Sequence, residues 1–267
     1  MTAVLETNKT KIARRVFEIF EFFDDCCDSV TVTDIVRRYG RPQSSTSELL
    51  SSLVEMGLLY KDPRTRSYTP TPRIAALGMS VQPKIIRDGG LFNLMDELAM
   101  SMNKCVALFG MVGNHVQIFR VAHSGNANAD RLLHGTSEAL TASAAGLLLL
   151  STFSPDQAAA VLWRMNAEFP PDKKCNLSDT KERIASYRSQ RYAIGKLGFV
   201  PDQQVVATLL PRSRIKRPLA LGIIIPATTL VNAKPLVAAM NQGLANCATV
   251  QIDNYYASQE KNFEIAI

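Results

Sequence analysis

The sequence has little of what builds a metal centre or a disulfide scaffold. Its 267 residues hold only three histidines (His115, His123, His134) and five cysteines (Cys26, Cys27, Cys105, Cys175, Cys247). The cysteine number is odd and no pair is spaced C-x-x-C, so free thiols in a reducing cytoplasm are expected, with no signal peptide in sight. The histidines make no ligand pattern with them, which argues against zinc, and no cofactor is expected. The longest apolar runs, such as Ala144 to Leu150, are far too short to span a bilayer. Also missing are G-x-S-x-G, a dinucleotide-binding glycine pattern and a P-loop. A lone His115 beside a hairpin turn reads as a surface or internally satisfied residue. Catalysis is therefore the remote alternative.

What is present is an ordinary globular composition, 46% hydrophobic and 20% charged, with a net charge of +6. The placement of that charge carries more information than its sum. Between Arg37 and Arg73 lie seven basic residues (Arg37, Arg38, Arg41, Lys61, Arg64, Arg66, Arg73) against three acidic ones (Glu48, Glu55, Asp62). Glu18, Glu21, Asp24, Asp25 and Asp28 come just before. A local basic segment permits a polyanionic partner.

The periodicity divides the chain. Ile12, Val16, Ile19, Phe20 and Phe23 recur at three- and four-residue steps, which predicts an amphipathic helix over Thr10 to Asp24. "DSVTVTDIVRRYG" offers Thr31 or Thr33 as an N-cap and Gly40 as a stop. Pro42 suits the start of a third helix, which runs to about Met56 with Leu49, Leu50, Leu53, Val54 and Met56 as its apolar stripe. Two short extended runs then flank Asp62-Pro63-Arg64-Thr65, good turn chemistry. Helix, helix, helix, basic hairpin is the layout of a winged helix-turn-helix. Residues 1–71 are assigned to it, 72–90 to a linker helix interrupted at Pro83, and 91–267 to a second domain.

That second domain mixes periods of 3.6 and 2. "LFNLMDELAMSM" is its first helix, and "CVALFGMVGNHVQIFRVA" is a hairpin turning at Gly113-Asn114. Helices are expected over Ala142 to Phe153, Pro155 to Asn166, and "SDTKERIASYRSQRYA" with Ser178 as cap. Strands "QQVVATLLP" and "PLALGIIIP" are joined by the basic turn Arg212, Arg214, Lys216, Arg217, read as a solvated tip with a subunit or DNA contact as the alternative, and a last helix covers Ala233 to about Gln251. This is an α+β domain with a mainly antiparallel sheet.

Three stretches in this order resemble the IclR-type bacterial transcriptional regulators: "TVTDIVRRYGRPQSSTSELLSSLVEMGLL" with its wing "YKDPRTRSYTPTPRIAALG", then "HGTSEALTASAAGLLLL" followed by "SPDQ", then "IASYRSQRYAI". The resemblance covers nearly the whole chain. It implies a homodimer or a dimer of dimers. An N-terminal domain would bind a double-stranded operator, and a GAF/PAS-like C-terminal domain would bind a small metabolite. The alternative is a helix-turn-helix protein whose second domain only oligomerises.

A recognition helix presents its N-terminal residues to base edges, and short hydroxyl side chains let it approach closely. Gln43, Ser44, Ser47 and Glu48 are the base-edge candidates, and Arg41 and Ser45 the phosphate candidates. A solvated, exposed turn is the bland reading of the same serines. Glu48 departs from the family, in which a basic residue is common near that position. Lys61, Arg64 and Arg66 are expected on the wing, and Lys9, Lys11, Arg14 and Arg15 as further backbone contacts. By the resemblance, Ser143, Ala144, Ala145 and Gly146 start the helix that faces the effector. Small residues there also suit close helix–sheet packing. A cysteine of the family's pocket falls at Val205, two serines near Ile223 and Ile225, and its acidic region at "IGKLG" with Lys196. Those losses point to an apolar effector, such as an aromatic or alicyclic acid, or to a pocket that binds nothing.

Overall fold

The computed structural model describes residues 8–26, 28–124, 132, 134–211, 217–230 and 232–247. The chain divides into two compact units, residues 1–82 and 83–267.

The first unit is a small helical cluster with a hairpin. Its helices are α1 (Asn8–Cys26), α2 (Val32–Tyr39) and α3 (Gln43–Glu55), and its strands β1 (Leu59–Lys61) and β2 (Tyr68–Pro70) pair antiparallel. Thr31 is the cap that starts α2. Its hydroxyl accepts from Asp34 N, and the Asp34 carboxylate accepts from the Thr31 amide and hydroxyl in return, a capping box. Those donors hold the Asp34 carboxyl below its ordinary range. Gly40, in the left-handed region at φ 61°, ends the helix. Ile19, Val30, Ile35, Leu50, Leu53, Leu59 and Tyr68 form the core. Val30 bridges Tyr68 and so ties the α1–α2 connection to the hairpin. Helix α4 (Arg73–Ser80) follows with no buried residue, and Leu77 and Val81 are 51% and 79% exposed.

The second unit is built on one six-stranded sheet in the order β5-β4-β3-β8-β7-β6, antiparallel throughout. The strands are β3 (Cys105–Val112), β4 (His115–Ala122), β5 (Ser137–Ala139), β6 (Tyr192–Lys196), β7 (Gln203–Leu209) and β8 (Leu219–Pro226). One face carries α5 (Lys84–Arg87), α6 (Gly90–Met102) and α10 (233–247); Leu91, Met95, Val206, Leu221 and Met240 lie in that layer. The other face carries α7 (Ala144–Leu150), α8 (Pro155–Glu168) and α9 (Leu177–Gln190), with Phe109, Ile118, Leu148, Leu162 and Ile184 between. With both faces covered, the central strands are apolar almost without alternation, and β8 is buried from Leu219 to Ile225.

The expected winged helical unit followed by an antiparallel α+β unit is therefore observed. Several local expectations change. β5 and β6 are additional strands, and β6 takes Tyr192 and Ala193 out of the predicted third helix. Arg191 adopts the left-handed conformation at φ 65° and ends α9 there. The cap of α9 is Asn176, not Ser178, because its side-chain oxygen reaches the N–H groups of Ser178 and Asp179. The start of the helix expected from Ala142 is a single 3₁₀ turn (Leu140–Ala142), and α7 begins after Ser143. Arg212, Arg214 and Lys216 of the basic turn and the last residues of the final helix lie outside the described residues; Arg217 is exposed.

Candidate nucleic-acid interface and effector site

The left-handed Gly40 turns the chain between α2 and α3, and Pro42 caps α3 without a side-chain hydrogen bond. The first N–H inside α3 that finds a backbone carbonyl is that of Thr46, on Pro42 O. The N–H groups before it are left for an outside acceptor, with the positive end of the helix dipole behind them.

Thr46, Leu50 and Leu53 form the buried stripe of α3. Thr46 is polar, but its hydroxyl is spent on Pro42 O at 2.9 Å. Opposite that stripe, Gln43, Ser44 and Glu48 are exposed and Ser47 is half-buried. No partner for the Glu48 carboxylate is found among the described residues. The four base-edge candidates thus share the outward surface of the first two turns.

The two phosphate candidates are placed differently. Arg41 is not a free cation: its Nη2 donates to both Glu18 carboxylate oxygens, at 2.8 and 3.2 Å. The Ser45 hydroxyl accepts from Arg15 Nη2 at 3.2 Å and donates to Pro42 O at 3.3 Å. Both contacts tie α1 to the start of α3, so Arg15 and Glu18 position that helix. Both residue types were visible in the sequence, but their reach across 30 and 23 positions was not. Lys11 and Arg14 are exposed on α1, and the Lys9 side chain lies outside the described residues. Arg37 and Arg38 are exposed in the last turn of α2, and Ser51 is exposed one turn beyond Ser47 on α3; the sequence marked the two arginines only as part of the basic segment, and Ser51 not at all.

The wing is a hairpin whose loop is set by Asp62. Its Oδ1 accepts from the Arg64 and Thr65 amides at 2.7 and 3.3 Å, which lowers the Asp62 carboxyl below its ordinary range. Arg66, at φ 58°, closes the loop by donating its N–H to Asp62 O. Lys61, Arg64 and Arg66 are all exposed. The Lys61 ammonium lies 5.4 Å from the centre of the Tyr68 ring.

At the candidate effector site, Ser143 caps α7 through its own hydroxyl, which accepts from Ala145 N at 3.2 Å. Ser143, Ala144, Ala145 and Gly146 are all buried. A Cβ at Gly146 would overlap the Leu140 carbonyl. Close packing thus requires small residues here. Val205 lies on the same side of the sheet as α7, in the layer with Phe109, Ala207 and Ala220. Ile223 and Ile225 do not: they pack in the layer with α6 and α10. The side chain of β8 beside Val205 is Ile224, because neighbouring strand residues point to opposite faces. Where a Cβ of Gly222 would stand, Val205 Cγ2 and Phe109 Cε2 already lie within 2.6 and 2.9 Å. Phe109 packs on Phe199 with ring centres 6.0 Å apart, a pairing that the sequence did not single out.

The family model of the IclR helix-turn-helix domain matches residues 13–63. Among solved structures, the Thermotoga maritima IclR is 14% identical, with 90% of this chain and 98% of that one covered at a TM-score of 0.63. An IclR transcriptional regulator from Alicyclobacillus acidocaldarius is 17% identical, with 91% and 98% covered at 0.62. An IclR homologue from Microbacterium hydrocarbonoxydans, complexed with 4-hydroxybenzoate, is 18% identical, with 89% and 98% covered at 0.62. A comparison with curated protein sequences finds no match. The first unit is therefore an IclR-type helix-turn-helix domain, and the chain has the fold of the IclR-family regulators over nine-tenths of its length. The resemblance stated from the sequence is borne out.

Proposed function

We propose that this chain is a cytoplasmic, sequence-specific DNA-binding transcriptional regulator, and not an enzyme, whose second unit binds a small metabolite. The observation that carries the reading is the start of α3. Four polar side chains face outward over a helix N-terminus without a side-chain cap, beside a wing with three exposed cations. Gln43, Ser44, Ser47 and Glu48 read base edges. Lys61, Arg64 and Arg66 hold phosphates, and Ser45 and Arg41 support the helix from behind. A homodimer, or a dimer of dimers, matches the two half-sites of an operator; the exposed apolar residues of α4 support self-association. Burial pushes the Cys105 thiol up to about 12, which leaves it without nucleophilic thiolate at neutral pH.

The effector of this reading is an aromatic or alicyclic acid at the start of α7, beside Val205. The 4-hydroxybenzoate held by the Microbacterium homologue supports the chemical class. The tight packing of Gly146 and Gly222 favours a second reading, in which this pocket takes no ligand and the unit only oligomerises. A footprint on the DNA upstream of the chain's own gene separates the two, with and without 4-hydroxybenzoate, glyoxylate and pyruvate. The first reading expects protection at two half-sites that the aromatic acid alters more than the keto acids do. Protection indifferent to every acid favours the second, and no protection sinks both.

A further inference from the structure

Away from the start of α7, at its opposite end, the second unit holds a cavity of about 870 Å³. That volume is within the range of small-molecule sites, roughly 300–1,000 Å³. Its walls come from the end of α7, the start of α8, the end of α9, the last residues of β7, and Asn241 of α10.

Arg188, Arg191 and Asn241 bring N–H donors to the wall. Arg188 is held in place by donating Nε to Ser151 O at 3.0 Å and Nη2 to Phe153 O at 2.9 Å. These are carbonyls just past α7, where a helix end is negative, so the guanidinium is fixed without a carboxylate. No contact to the Arg191 guanidinium is found among the described residues, and the left-handed backbone at φ 65° sets its position at the end of α9. The Asn241 side-chain oxygen accepts from Thr208 Oγ1 at 3.0 Å, which leaves its NH₂ as a donor. No aspartate or glutamate is among the described lining residues. The rest of the wall is largely apolar, with Phe153, Leu209 and Leu210 in it.

We infer that this cavity is a second ligand site, for a small organic anion that sets a carboxylate or phosphate on Arg188, Arg191 and Asn241 and an apolar body against Phe153, Leu209 and Leu210. Two guanidiniums with no facing carboxylate among the described residues give the site an unbalanced positive potential. Arginine forks match the planar or tetrahedral oxyanion geometry. The apolar wall rejects small hydrated anions, which would lose water without gaining contacts. This site is distinct from the start of α7 and does not depend on that pocket being open.

The test uses the full chain carrying labelled leucine and valine methyl groups. It is titrated with benzoate, phenyl phosphate, benzyl alcohol and inorganic phosphate, and followed by methyl NMR. Benzoate or phenyl phosphate is expected to shift the Leu209 and Leu210 methyls saturably while Val205 stays still. The tighter of the two names the head group. Benzyl alcohol and inorganic phosphate, each with half of the required chemistry, bind more weakly. Arg191→Glu weakens the organic anions at least about tenfold, and Arg191→Lys retains part of the affinity. Circular dichroism of both variants checks that the fold is kept. Shifts at Val205 with none at Leu209 and Leu210 overturn the inference while leaving the α7 reading intact. Wild-type affinity in Arg191→Glu overturns it too, as does the absence of any saturable shift at Leu209 and Leu210.

Discussion

Arg64→Ala tests one proposed phosphate contact with little disturbance elsewhere. The wing loop is held by backbone groups: the Arg64 and Thr65 amides donate to Asp62 Oδ1, and the Arg66 amide to Asp62 O. Alanine keeps every one of these, and the Arg64 side chain is exposed, so the hairpin should stay in place. What is lost is one cation. Each phosphate neutralised by a protein contributes about 0.9 to the slope of log affinity against log salt. An operator complex with twofold symmetry counts Arg64 twice, a slope change of about 1.8. Between about 50 and about 200 mM salt, a fourfold change, wild type should lose about 12-fold more affinity than the variant. The deficit of the variant is then largest in dilute salt and shrinks as salt rises. Fluorescence anisotropy on an operator duplex and on a scrambled duplex measures both slopes. An unchanged slope, with affinity lowered, would show that Arg64 acts through something other than its charge. A deficit confined to the operator duplex would make it a base reader, against the assignment.

Gln43→Ala should instead leave binding to the scrambled duplex alone and erase preference at one operator position, by about 1–3 kcal/mol if Gln43 pairs with adenine; selection of binding sites from a random pool reads this directly. Gly146→Ala should destabilise the second unit by about 1–3 kcal/mol in urea unfolding, because the new Cβ overlaps the Leu140 carbonyl; a neutral result would mean that the start of α7 has room to spare. Thr31→Ala removes the cap of α2 and should cost about 1 kcal/mol near neutral pH. The Asp34 carboxyl is held below its ordinary value of 3.8 chiefly by the Thr31 hydroxyl, so its contribution is present above that pH and is lost as pH falls through the lower folded value. The gap between wild type and variant should therefore narrow in strong acid to what the bond from Asp34 N to the Thr31 hydroxyl contributes, and a gap that stays constant down to about pH 2 would refute the coupling.

The parts of this molecule that were legible in advance are those in which a residue's neighbours lie within a few positions. Gly40, Gly57 and the Asp62 turn act locally, and the stripe Leu49, Leu50, Leu53 marks the inward side of α3 with a period that a one-residue error barely rotates. The outward side, Gln43 to Glu48, follows from it. On a strand the same error reverses the facing, and Val205 was grouped with Ile223 and Ile225 when Ile224 is the residue on its side. Nothing in the composition of β8 warned of this. A strand covered on both faces is apolar at every position and carries no alternation to read. β6 was hidden for a related reason: its first residues, Tyr192 and Ala193, continue the pattern of the helix before them, and only the left-handed Arg191 ends that helix.

Charge is the other case in which sequence distance misleads. The basic segment from Arg37 to Arg73 follows an acidic one, and a count along the chain treats the two as separate. Folding does not, because Glu18 of α1 takes Arg41 in an ion pair at 2.8 Å. A cation already paired has to exchange one partner for another, and most of the gain from a phosphate is cancelled by the carboxylate released. On the proposed reading, the phosphates this segment neutralises are set by its exposed cations, Arg37, Arg38, Lys61, Arg64, Arg66 and Arg73 among the described residues, rather than by every basic side chain in it. The same pair bears on why Glu48 can stand on the proposed reading face. With α1 already supplying the acid that positions Arg41, the Glu48 carboxylate is not needed inside the protein. Pointing outward from a helix whose N-terminus favours anions, it repels a phosphate but can accept from a cytosine amino group. On the proposed reading, a carboxylate in that position costs affinity for DNA in general and gains it for one base, the exchange that sequence-specific binding requires.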